Sequence, residues 1–86
     1  MIIKITQIQK DFLTKKVLQD RMELINEIMK GWLIQGKWQV DISNSVADEM
    51  RDLCSEMLQI IGFDEHYKLT KYGKMLEELI DIFYIE

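Results

Sequence analysis

His66 is the chain's one histidine, and it directly follows Asp64 and Glu65, residue types from which metal sites and acid–base pairs are built. Adjacent residues of an extended loop point in different directions, so these three side chains do not converge on one ion or one proton. A zinc site would also need further imidazoles or paired thiolates at fixed spacing, and the chain has one cysteine and one histidine. Cys54 lies between Leu53 and Met57 in an apolar stretch, where a thiol packs as a small hydrophobe with no base nearby to activate it. No glycine-rich phosphate loop occurs. These residues lead us to expect no catalytic activity, no metal and no cofactor.

The 86 residues suffice for one domain, residues 1–86, and a hydrophobic fraction of 48% suffices for one core. Proline is absent and glycine occurs four times, which favours helices over a turn-rich sandwich. The lone cysteine allows no internal disulfide, and the apolar start of the chain is too short for a signal peptide or a membrane span. A cytoplasmic protein is expected.

Charge is divided unevenly. Residues 1–40 hold seven Lys/Arg and four Asp/Glu; residues 41–86 hold four and eleven. The halves are therefore +3 and −7, which sum to the net −4. An acidic second half repels nucleic-acid phosphates and attracts a basic protein.

Positioning falls to helices. In "SVADEMRDLCSEMLQIIG", Val46, Met50, Leu53, Cys54, Met57, Leu58, Ile60 and Ile61 share an arc of about 160°, with the polar residues opposite. Ser45 is the expected N-cap, with Ser43 as the alternative, and Gly62 is placed for a left-handed C-cap. Thr70 caps a last helix whose apolar face carries Tyr72, Met75, Leu76, Leu79, Ile80, Ile82 and Phe83. A stripe through Val17, Leu18, Leu24, Ile25, Ile28, Met29, Trp32 and Leu33 predicts a long first helix, with a break near Thr14 where Phe12 and Leu13 fall out of phase. The expected fold is all-α in the main: three or four helices, near 14–35, 45–61 and 70–84, in a bundle. Alternation in residues 2–8 and 37–42 leaves room for a minor two-stranded element.

On such a bundle Asp48, Asp52 and Glu56 line the polar side of one helix, and Glu77, Glu78 and Asp81 that of the next. Neighbouring antiparallel helices that turn these faces the same way would form an anionic surface for a cationic partner. Trp38, past the end of the predicted long helix, and Tyr67, in the joint between the last two, are the aromatic candidates for anchoring it. Trp32, on the long stripe, is expected in the core.

Two resemblances bear on the tail. The stretch from Gly62 to the C-terminus resembles the ends of small acidic bacterial immunity proteins, the inhibitors of colicin-like and contact-dependent-inhibition toxins. That likeness implies a non-enzymatic, cytoplasmic protein that binds and neutralises a cognate basic toxin, in the first instance a nuclease. A phage-type inhibitor of a bacterial defence protein would share the same features. Separately, Tyr67-x-Leu69-Thr70-x-x-Gly73-x-x-Leu76 looks like the start of the last helix in winged-helix regulators. Those carry a helix-turn-helix, a β-wing and a basic face. Only the seven residues 63–69 precede Thr70, too few for a wing hairpin, and the surrounding half is acidic. Such a regulator would bind DNA through Lys4, Lys10, Lys15, Lys16 and Arg21.

Overall fold

A computed structural model of the chain describes residues 1–84. In chain order it contains β1 (Ile2–Thr6), α1 (Gln7–Phe12) continuing as a π-helical turn (Leu13–Val17), α2 (Met22–Met29), β2 (Trp32–Ile34), β3 (Lys37–Asp41), α3 (Asn44–Ile61) and α4 (Lys71–Ile82). The all-α expectation is thereby corrected. Among the described residues helix accounts for 58% and β-structure, with the isolated Phe63–Leu69 bridge, for 18%, and the strands form one antiparallel sheet in the order β1-β3-β2.

The sheet follows from period-two alternation. Ile3 pairs with Val40 and Ile5 with Trp38, which turns the apolar side chains of both strands to one face. Ile3, Ile5 and Val40 are buried, whereas Ile2, Lys4 and Thr6 lie exposed on the other face. The pairing of the first residues with those after Gly36 is therefore a wall of the core, and a third strand joins it.

That third strand comes from the predicted long helix, which is three elements instead. The π-helical turn runs to Val17, closed by the Leu18 N–H donating five residues back to the Leu13 carbonyl at 2.9 Å. The wider turn absorbs the phase slip read at Phe12 and Leu13, so Phe12, Leu13, Val17 and Leu18 are all buried. The chain then turns, with Arg21 N–H on the Leu18 carbonyl at 2.8 Å, and α2 begins at Met22. Past α2, Gln35 at φ 51° and Gly36 at φ 81° form a two-residue hairpin turn that folds Trp32–Ile34 onto Lys37–Gln39.

The second half keeps its helices but changes their ends. Ser43, not Ser45, caps α3, its hydroxyl accepting from Val46 N–H at 3.2 Å. Gly62 is not left-handed: its φ is −76°. Its lack of a Cβ serves close packing instead. A Cβ on Gly62 would collide with the Leu58 carbonyl, and one on Gly73 would collide with the Gly62 carbonyl. Thr70 caps α4 as expected, accepting from Gly73 N–H at 3.0 Å and donating to the Ile61 carbonyl at 2.9 Å. One core unites the layers, joining Ile3, Ile5 and Val40 of the sheet to Leu24 and Ile28 of α2, Met50 and Cys54 of α3, and Leu76, Leu79 and Phe83. Ile60, read as part of the apolar arc, is 73% exposed. No helix among the described residues is long and apolar enough to cross a membrane.

Candidate functional site

The antiparallel α3–α4 pair carries the acidic side chains. Gly62 lies against Gly73 at one end, and the Arg51 guanidinium sits 5.7 Å from the Tyr84 ring centroid further along. Stepping about 100° per residue from the buried stripes places Asp48, Asp52, Glu77 and Asp81 on the outward side of the pair. Glu56 falls at the far edge of the polar face of α3 from Asp48. Glu78 is turned toward α1, where its carboxylate accepts from Gln9 Nε2 at 2.9 Å. Asp48 pairs with Arg51 at 3.3 Å. Asp52, Glu56, Glu77 and Asp81 are exposed and form no ion pair among the described residues. Four of the six predicted carboxylates thus form no ion pair among the described residues, and Asp52, Glu77 and Asp81 share the outward side with exposed Lys74.

The joint between these helices is more ordered than a plain linker. Phe63 and Leu69 pair as an isolated β-bridge. Between them, Asp64 Oδ1 accepts from the backbone N–H groups of His66 at 2.8 Å and Lys68 at 3.0 Å. The Tyr67 N–H donates to the Asp64 carbonyl at 3.0 Å. This network holds Tyr67 at φ 62°, a left-handed conformation that a bulky residue rarely adopts, with the residue 88% exposed. Asp64 therefore builds the loop. The His66 ring is exposed, with Nε2 at 3.6 Å from the Glu65 carboxylate. Among the described residues, His, Cys, Asp and Glu side chains gather in no group of three that could hold a metal ion.

Of the two tryptophans, one departs from expectation. Trp38 is half-buried: its Nε1 donates to the Ile28 carbonyl at 2.8 Å and Lys10 Nζ lies 3.8 Å above its ring. Trp32, expected in the core, is 45% exposed on β2. Sequence reasoning missed this exposed strand. Its signal is three consecutive large apolar residues running into a glycine turn, which a helical stripe cannot leave at the surface.

Several basic residues are already engaged. Arg21 Nε contacts Glu23 at 2.7 Å and its Nη2 reaches Glu49 on α3 at 3.5 Å. The hydrogen bond to Glu23 raises the guanidinium's affinity for its proton, and the same bond holds the Glu23 carboxyl below its ordinary range. Lys30 pairs with Glu27 at 3.1 Å. The exposed ends of α2 are consequently charge-balanced. In comparisons with known proteins, the chain matches no family model, no curated protein and no solved structure.

Proposed function

We propose that this protein is a protein-binding inhibitor of the immunity type, which neutralises a basic toxin domain in the cytoplasm by occupying its cationic surface. The observation that carries the reading is Tyr67. A left-handed conformation costs a residue with a Cβ roughly 1–2 kcal/mol. The hydrogen bonds that build the loop come from Asp64 and the backbone, so the phenol contributes nothing to the fold that repays this cost. A tyrosine on a fixed backbone suits an interface anchor, because the loop has little backbone entropy left to lose on binding and the ring turns about only two side-chain bonds. Asp52, Glu77 and Asp81, along the two helices that lead away from this loop, supply the steering field.

The test uses the immobilised chain and a toxin domain encoded beside its gene. Wild type should bind it with an association rate that falls as salt rises, since exposed charges are screened beyond about 8 Å at physiological ionic strength. Glu77→Lys with Asp81→Lys should slow association at least about tenfold, which is about 1.4 kcal/mol. Tyr67→Asn should accelerate dissociation while raising thermal stability, because asparagine tolerates the left-handed region. Binding unaffected by both variants would overturn the reading.

A second reading, a DNA-binding regulator, is favoured by one observation. Residues 7–29 form two helices joined by a short turn, and the β2–β3 hairpin follows them, as a wing would. Against it, Arg21 and Lys30 at the ends of α2 are held by glutamates, so this helix presents no excess positive charge. Micromolar binding of duplex DNA in physiological salt, undisturbed by the α4 reversals, would install the regulator in place of the inhibitor.

A further inference from the structure

β1 and β2 are the two edges of the sheet, and on β2 Trp32, Leu33 and Ile34 are 45%, 54% and 41% exposed. Proteins ordinarily blunt such an edge with charge, proline or a bulge, and three successive exposed apolar residues are a flaw unless something covers them. The turn fixes which backbone groups lie open. In a two-residue hairpin the residues flanking the turn, here Ile34 and Lys37, form a hydrogen-bonded pair, and the pattern then alternates. Leu33 and Trp38 are therefore a non-hydrogen-bonded pair, so the Leu33 N–H and C=O point out of the sheet.

We propose that this edge is a self-association surface, on which β2 pairs antiparallel with β2 of a second copy about a two-fold axis at Leu33. The strand is self-complementary in that register. Leu33 meets Leu33 and exchanges both backbone hydrogen bonds. Trp32 of each copy meets Ile34 of the other on the outer face, an aromatic–β-branched pair of the favourable kind. No charged residue lies within β2. Gly36, in the turn after the strand, carries no side chain and faces open space, so nothing there obstructs the approach of a second backbone. The result is a six-stranded sheet with β1 at both outer edges. The two-fold contact itself is closed, and the edge left at each end is β1, whose exposed Lys4 discourages further strand addition. The contact lies on a different surface from the acidic hairpin and does not depend on the proposed function. A three-residue strand buries less than the roughly 1,200 Å² of a stable interface, so the dimer is weak and reversible.

The test is sedimentation velocity on the full chain from about 10 μM to about 1 mM, a range that brackets weak dimer dissociation constants. Average mass should rise with concentration toward two chains, and the Leu33 amide should exchange several-fold more slowly at the top of the range. Ile34→Lys should weaken association at least tenfold with unchanged circular dichroism. A single-chain mass throughout overturns the proposal. So does a dimer whose Leu33 amide exchanges at the monomer's rate, or one that a folded Ile34→Lys variant leaves intact. If that variant fails to fold, the wild-type Leu33 amide decides. Protection of Leu33 by an added extended peptide, in a chain that stays monomeric, would replace the second copy by a foreign strand and likewise refute it.

Discussion

Cys54 is fully buried in α3, and burial pushes its thiol up from 9.0 to about 12. The cause is desolvation, which disfavours the thiolate. Two outcomes follow. At neutral pH a thiol reagent should label the native chain far more slowly than the urea-unfolded chain; equal rates would show that the site opens. The folded state also holds the proton more tightly than the unfolded one. Stability from this group is therefore complete below pH 9 and falls as pH rises from there toward 12, by at most about 1.4 kcal/mol per pH unit. Urea midpoints at pH 7 and pH 10 measure it, and Cys54→Ala should remove the difference. The residue was legible as core from its place between Leu53 and Met57. Tyr67 was legible only as an exposed aromatic, because tyrosine is not a residue type that signals a positive φ.

Among the elements, the α3–α4 pair depends on the absence of side chains at Gly62 and Gly73. Gly73→Ala would drive its methyl group into the Gly62 carbonyl and the Leu69 side chain. The helices would have to separate over the core, so we expect a loss of about 2 kcal/mol or more, read as a lower urea midpoint at unchanged m-value. An unchanged midpoint would mean that the helices slide apart freely. Both helices were readable from their apolar and polar faces, and α4 also from its Thr70 cap, and with them the carboxylates of the candidate site. The long first helix was misread for two reasons. A short apolar strand and a helical stripe cannot be separated by periodicity alone, and Trp32 and Leu33 satisfied both patterns. Gln35-Gly36 is also a weaker hairpin signal than Asn-Gly or Asp-Gly, so the turn announced itself poorly. The π-helical turn had no marker residue and showed only as a phase slip.

At the scale of the molecule, one core ties the sheet to all four α-helices, so no part of it can be removed without exposing another. Unfolding should therefore be a single event. Trp38, anchored to the Ile28 carbonyl, reports the sheet and α2, while far-UV circular dichroism reports chiefly the helices. Their urea transitions should coincide within error, and transitions that separate would divide the chain into independently stable parts. The charge asymmetry read from the sequence becomes spatial. Carboxylates without an ion pair among the described residues face outward on α3 and α4, interrupted by Lys74, whereas Lys4 and Lys37 stand on the outer face of the sheet.

β1 and α4, near opposite ends of the chain, touch, and Leu76, Leu79 and Phe83 share the core with Ile3 and Ile5. During synthesis this contact imposes a delay. Residue 83 is polymerised 80 residues after Ile3, roughly 4–16 s later at about 5–20 residues per second. The first strand lacks its β3 partner for about the first half of that interval and its full helical cover until the end of it. The nascent chain carries an apolar strand with open edges, which is a substrate for holding chaperones. Slow translation lengthens that exposure, so the yield of folded protein is coupled to the speed of the ribosome.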